Sequence, residues 1–514
     1  MRILIVTLVC FFMALPQGYA LTAEQQAKMA QAKKAIGAIR GHVDSVTGDI
    51  KASRTEADLE EIREEDARAK AEWAYSTAIQ AYTFALPLLI VERERRIRML
   101  LKKPHPLQPA APINQFGHLR RLATADHPLP YTPNNDTVYS GMAIDFDGEP
   151  LIISYPDMGE RYWSFQVANS YTANLGYVGC LTDPPEAGEF AILPPDWAGE
   201  LPKGMKSIRL TQQGGMIAVR ITVSKTDPAD MKRLHKLQNQ IITTALSDYL
   251  AGGAGSKIPS WPTSLTKYPR IDKSDPFAFY KEAAYLMGKY PPTAQHNTML
   301  KTFETIGLVP GQPFDPQKLD PAMRDALVRG IKAGAEILRW KVKFRGHQSP
   351  TYWNVDLTGG SYNDKYLDRA EGAVQGLFVH DPEWGTYFHT YSDSENRYLD
   401  GSKRYKLHFT KDQLPKVHKP GFWSVTMYGA NYQLVKNEIN RFSIGDRTPD
   451  IKYNADGSVT LYLQSTPPAG HESNWLPTPK SGIFRLNYRV YLPREEMIKD
   501  NETVYKYLTG VERL

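Results

Sequence analysis

The spacing of apolar residues changes period three times along this 514-residue chain, which excludes any single-class fold. From Leu21 to about Leu101 the pattern is helical. Residues 22–70 are rich in the helix formers Ala, Gln, Glu, Lys and Arg. Trp73 to Ile90 is apolar, with Pro87 expected to kink or end the helix, and Arg93, Arg95, Arg96 and Arg98 follow as a basic cluster that reads as a solvated helix end. From about Phe116 to Val223 the period becomes two: Trp163, Phe165 and Val167 share one face and Tyr162, Ser164 and Gln166 the other. From Asp227 to about Val342 helical spacing returns, with a stripe of Met231, Leu234, Leu237, Ile241 and Leu246 and a second of Leu327, Ile331, Ala335 and Leu338 behind Pro321. From about Gly346 to Leu514 the period is two again. There Phe484, Leu486, Tyr488 and Val490 alternate with Arg485, Asn487, Arg489 and Tyr491. No helix pattern separates neighbouring strand runs, so antiparallel sandwiches are expected rather than a parallel α/β sheet.

Composition narrows the class. Hydrophobic residues make up 42% and charged residues 23%, which excludes a mainly disordered chain and a polytopic membrane protein. A formal charge of +6 is too small at this length to argue for nucleic acid, and no nucleic-acid partner is expected. Met1–Arg2, the apolar run Ile3 to Leu15 and the small-residue pattern Gly18-Tyr19-Ala20 read as a secretory signal peptide cleaved after Ala20. The mature protein is therefore expected in the periplasm or outside the cell, with no integral membrane span. Of the two cysteines, Cys10 would leave with the leader. Cys180 would remain as a small buried thiol that cannot form an internal disulfide.

Two sets of motifs carry a family resemblance. The first is Tyr131-Thr132-Pro133-Asn134-Asn135-Asp136-Thr137-Val138-Tyr139-Ser140, then Arg161-Tyr162-Trp163 and Asn169-Ser170-Tyr171-Thr172-Ala173-Asn174. The second comprises Leu399-Asp400-Gly401, Phe422-Trp423-Ser424-Val425-Thr426-Met427-Tyr428, Asn440-Arg441-Phe442-Ser443-Ile444-Gly445-Asp446, Asn474-Trp475-Leu476-Pro477 and Arg489-Val490-Tyr491-Leu492-Pro493. In these the chain resembles a bacterial two-domain family of unknown function, built from domains of unknown function 1254 and 1214. The resemblance implies an α+β multidomain protein with an N-terminal immunoglobulin-like β-sandwich, a helical middle domain and a C-terminal jelly-roll β-sandwich. With the periodicity, it places a signal peptide at 1–20, a helical region at 21–105, the first sandwich at 106–225, the helical domain at 226–344 and the second sandwich at 345–514. It implies no reaction.

The strong catalytic signatures are missing from the sequence: no G-x-S-x-G elbow, H-E-x-x-H zinc helix, G-x-G-x-x-G turn or cysteine pair for zinc. No cofactor and no metal are expected. Asn134, Asn135, Asp136 and Tyr139 are the leading ligand-binding candidates, because clustered amides and a carboxylate beside a phenol suit a polyhydroxylated ligand. The competing reading is that Asn and Asp bond their own backbone to open a strand. Asn169 and Tyr171 raise the same choice, as a strand end or a ligand-facing pair, and Gln166 lies on the polar parity of its strand, where the alternative is a solvent face. Arg441 and Arg489 suit carboxylate or phosphate contacts, against an alternative of an Arg441–Asp446 ion pair or an inter-domain pair at Arg489. The leading expectation is an exported protein that binds a polar small molecule or envelope saccharide in an inter-domain cleft. A hydrolase or lyase using Asp136 with Arg441 or Arg489, and a structural or assembly module, stand as alternatives. A homo-oligomer remains open.

Overall fold

The computed structural model describes residues 22–24, 26–37, 59–126, 132–255, 271–344 and 346–514. The leader at 1–20 with Cys10, and Tyr131 of the first motif, lie outside the described residues. The chain divides into two units, residues 1–68 and 69–514. In the first, residues 26–37 are helical and largely exposed, and Lys28 Nζ lies 2.7 Å from Glu24 Oε1 one turn away.

A helix runs Leu59–Met99. Pro87 lies buried inside it and the helix continues, so the expected end at the proline does not occur. A proline within a helix costs about 3 kcal/mol. Buried Phe84, Ala85, Leu88 and Val91 flank it and hold the segment against its neighbours, which outweighs that cost. Those neighbours are helices Ala278–Lys289, Asn297–Glu304 and Pro321–Lys343, which meet it in a core of Ala78, Phe84, Tyr280, Met287, Phe303 and Leu327. The closest crossing is at Gly330, where a Cβ would fall 2.4 Å from that of Ala78, so only glycine fits there. The basic cluster at the helix end is not solvated as expected. Arg95 is fully buried, 3.0 Å from Glu92 and 3.2 Å from Asp145, and donates to the Tyr290 hydroxyl.

The first strand-rich zone holds β1 (Gly117–His118), β2 (Thr137–Asp145), β3 (Leu151–Tyr155), β4 (Trp163–Asn169), β5 (Asn174–Gly179), β6 (Gly188–Leu193), β7 (Lys206–Arg209), β8 (Gly214–Thr222) and β9 (Ile242–Ala245). They form a five-stranded sheet, β1-β2-β8-β4-β5, antiparallel throughout, and a four-stranded sheet, β7-β6-β3-β9, whose edge pair β6–β7 is parallel. Their inner faces share one core of Val138, Met142, Ile153, Trp163, Phe165, Phe190, Ile217 and Val219. Within the stretch expected to be helical, the helix Asp230–Asn239 ends early and β9 pairs with β3 instead. The β-branched run Ile241 to Thr244 favours that outcome.

The last zone holds β10 (His347–Gln348), β11 (Asn354–Val355), β12 (Gly385–Thr390), β13 (Tyr405–Phe409), β14 (Val417–Gly429), β15 (Ser443–Gly445), β16 (Val459–Gln464), β17 (Trp475–Pro477), β18 (Phe484–Pro493) and β19 (Val511–Arg513). A six-stranded sheet, β10-β11-β12-β18-β14-β15, faces a four-stranded one, β17-β16-β13-β19. The core between them takes Phe484, Leu486, Tyr488 and Val490, the set read as apolar, together with Trp423, Val425, Leu461 and Leu463. The protein is thus α+β, with helices and several sheets in a multidomain chain.

Phe165 is fully buried and lies within 6.1 Å, ring to ring, of Phe116, Tyr155, Trp163 and Phe190. Phe165→Ala is predicted to lower unfolding free energy by about 3–5 kcal/mol, read as a shift of the urea midpoint. A loss below about 1 kcal/mol would place this ring outside a tight core.

Candidate functional site

The outer faces of the two large sheets are buried against each other. Alternation places Tyr139 of β2, Gln166 of β4 and Arg220 of β8 opposite the core side of the first sheet. The same rule places Ser424, Thr426 and Tyr428 of β14 and Arg485, Asn487, Arg489 and Tyr491 of β18 on the outer face of the second. These faces join in direct contact rather than across an open hollow. Asn134 Nδ2 donates to Tyr491 Oη at 2.6 Å and to Tyr139 Oη at 3.1 Å. Tyr428 Oη donates to the Pro133 carbonyl at 2.7 Å, and Arg489 donates to Tyr428 Oη and Thr426 Oγ1, each at 2.7 Å.

Two arginines organise the centre of this seam. Arg220 donates to Gln166 Oε1 at 2.6 Å, to Tyr139 Oη at 3.1 Å and to the Phe378 carbonyl, with its guanidinium 5.0 Å from the centre of the Tyr139 ring. It also lies 2.8 Å from His380 Nε2. A guanidinium only donates, so Nε2 accepts and the His380 proton sits on Nδ1, 3.0 Å from Tyr387 Oη. Burial and the Arg220 charge push His380 well below the usual histidine range, which keeps the ring neutral. Burial pushes Tyr139 up, but the Arg220 charge and hydrogen bond, with the Asn134 hydrogen bond, outweigh it and hold the phenol below its usual value. Arg489, likewise buried, stays charged beside Tyr428, Tyr491 and Asp136.

At the edge of the seam lies a carboxylate cluster. Asp136 Oδ2 accepts from Ser424 Oγ at 2.6 Å, while Oδ1 lies 3.4 Å from Lys225 Nζ and 3.3 Å from Ser443 Oγ. Arg447 donates to the Asp136 and Val223 carbonyls and lies over the Phe422 ring. Burial raises Asp136, but Lys225, Arg489, Arg447 and the Ser424 bond overcome it, so the carboxyl titrates below its usual range. Asp446, which accepts from the Trp423 amide at 3.1 Å, goes the other way: burial pushes it up to about 7. Lys225, Asp446 and Arg447 are partly exposed, unlike Asp136.

The seam therefore gathers Asn134, Asp136, Tyr139, Gln166 and Arg489 from the sequence candidates. Asn135 sits at its margin, donating to the Ala123 carbonyl at 2.6 Å and accepting from Ser443 Oγ. Gln166 is fully buried and so not on a solvent face. Asn169 closes its own loop, accepting from the Tyr171 and Ala173 amides. Tyr171 belongs to the helical core, where its hydroxyl donates to the Tyr290 carbonyl at 2.9 Å. Arg441 donates to the carbonyls of Glu472, Ser473 and Trp475 and does not pair with Asp446. Sequence reasoning missed Arg220, Lys225, Asp446 and Arg447 as site residues. Arg220 was within reach, since it alternates with Ile217, Val219 and Ile221. The other three sit on loops, where no period marks the face. A separate open hollow of about 630 Å³ lies elsewhere, between Ser154, Glu189, Lys203, Met205 and Tyr249.

Two family models match the chain. DUF1254, a protein of unknown function, matches residues 113–245, and DUF1214, also of unknown function, matches residues 385–495. The VPA0106 protein from Vibrio parahaemolyticus, known from a crystal structure, is 25% identical with a TM-score of 0.62, over 86% of this chain and all of that one. A putative uncharacterized protein from Burkholderia cenocepacia is 13% identical with a TM-score of 0.38, over 88% of this chain and 95% of that one. No curated protein matches the chain.

The two carboxyls predict opposite pH dependences. The Asp446 carboxyl, at about 7 when folded against about 3.9 unfolded, contributes stability that is full below about pH 4 and is lost as pH rises through about 7. Asp446→Asn should flatten the fall in urea midpoint over that window, and an unchanged fall would contradict the assignment. Asp136, held below its unfolded value, contributes stability above about pH 4 that is lost as pH falls further. Asp136→Asn, which removes the buried carboxylate that Lys225, Arg447 and Arg489 face, should lose on the order of 3–5 kcal/mol at neutral pH and less in acid.

Proposed function

This chain carries the DUF1254 and DUF1214 domains, and on that premise we propose that it binds an anionic polyhydroxylated small molecule, such as an acidic saccharide, at the seam between them. One observation carries this reading. Among the described residues, Arg220 and Arg485 are buried with no carboxylate in ion-pair range, while Lys225, Arg447 and Arg489 all draw on the single ionised carboxylate of Asp136. Buried charge without a counter-charge is costly, and a bound anion supplies one. Asn134, Gln166, Tyr139 and Tyr491 offer hydrogen bonds to hydroxyls, and the partly exposed Lys225, Asp446 and Arg447 form the entry.

A second reading is an acid–base enzyme, a hydrolase or lyase. It is favoured by two carboxyls in one cluster driven apart, Asp136 ionised and Asp446 protonated until about pH 7. Arg447 and Arg489 would then stabilise developing negative charge. Arg441 has no part in it. The finer fold reading, an immunoglobulin-like first domain and a jelly-roll last domain, is supported by the mostly antiparallel paired sheets. Export rests on the leader pattern of residues 1–20. N-terminal sequencing of the protein from its native envelope fraction should begin Leu21-Thr22-Ala23, and an intact Met1 terminus would contradict export by cleavage.

Glucuronate and glucose separate charge from shape. Glucuronate should raise the melting temperature of the full chain in a saturable way, glucose should not, and the double variant Lys225→Met/Arg447→Met should weaken the response at least tenfold. A response to neither sugar, or an equal response to both, would overturn the reading.

A further inference from the structure

The helix Tyr366–Gly376 lies outside both family matches and carries a second buried cation, Arg369. It is 2% exposed, and its Nε and Nη2 have no hydrogen-bond partner. Those two N–H groups share one edge of the guanidinium, the edge that grips a carboxylate side-on through two parallel hydrogen bonds. No carboxylate among the described residues pairs with it. Asp364, two residues before the helix, accepts instead from Tyr366 Oη at 3.2 Å. The surroundings are aromatic: the guanidinium carbon lies 5.0 Å from the Tyr366 ring centre, 5.6 Å from Phe84 and 5.9 Å from Tyr171. None of these hydroxyls turns to it, since Tyr171 donates to the Tyr290 carbonyl and Tyr366 is engaged with His296 and Asp364. Burial and the Arg369 charge hold His296 below the usual histidine range, so it adds no second cation.

From this we infer that Arg369 anchors a second binding site, distinct from the seam, for a small carboxylate on an aromatic or other flat apolar body. An arginine does not shed its proton to escape burial. The aromatic wall accepts an apolar body and disfavours a strongly hydrated anion such as phosphate. The cation–π faces orient the guanidinium, and the ligand carboxylate takes the two hydrogen bonds that Nε and Nη2 lack.

Benzoate, its neutral isostere benzamide and inorganic phosphate form the test, by calorimetric titration of the full-length protein. Benzoate should bind saturably and benzamide and phosphate should not. Arg369→Lys, which keeps the charge but loses the fork, should bind benzoate at least tenfold more weakly, while Lys225→Met in the seam should bind it as the parent does. Arg369→Met should abolish binding. If that variant does not fold, the Arg369→Lys comparison decides. No benzoate heat, equal binding of benzamide, a preference for phosphate, or undiminished binding by Arg369→Lys would each overturn the inference.

Discussion

A sheet face lined with arginines, amides and phenols can be buried only against a face that answers it group by group. That constraint governs the arrangement of the second unit. Across the seam Arg220 meets His380 and donates to the Phe378 carbonyl, Arg489 donates to the Thr132 carbonyl, Tyr428 to the Pro133 carbonyl and Ser424 to Asp136. Asn134 bridges the two sheets through Tyr139 and Tyr491. Buried polar networks of this kind specify one docking geometry, because any slip leaves donors without acceptors. Ring contacts reinforce it: Tyr162 meets Tyr491 at 5.1 Å and Tyr177 stacks on Trp384 at 4.6 Å.

The neutral partners satisfy hydrogen bonds without cancelling charge. Phenols, amides and carbonyls answer the arginines, and only Asp136 stands as an ionised carboxylate in the cluster that holds Lys225 and Arg447. The seam is therefore geometrically closed and electrostatically positive. That surplus of buried positive charge is the observation on which the proposed anion site rests.

The fold was legible where period decides the outcome. The alternation from Phe484 to Tyr491 set the core face of β18 correctly, because a strand has only two faces. The helix runs on through Pro87 rather than ending there because local propensity yields to buried contacts on both sides of the proline. The strand at 242–245 was hidden because a helical stripe of apolar residues runs into it without a turn signal. For the site, period told which residues share a face but not what covers that face. Gln166 and Arg489 lie on polar strand faces; a buried inter-domain role stands open for Arg489 from the sequence, whereas only the packing of one sheet on another shows Gln166 as buried. Asn169 and Arg441 look alike in sequence to Asn134 and Arg489, yet Asn169 closes its own loop and Arg441 caps the carbonyls of the distant segment 472–475. Lys225, Asp446 and Arg447 depend on where two distant loops meet, which no local pattern encodes.

Hydrogen–deuterium exchange on the full chain, with and without glucuronate, tests most directly whether the cation-rich seam is where an anion is recognised. The account predicts added protection in β2, β8, β14 and the segment 443–448, with the hollow at Ser154, Glu189 and Lys203 unchanged. Protection confined to that hollow, or none in the seam strands at saturating sugar acid, would contradict it.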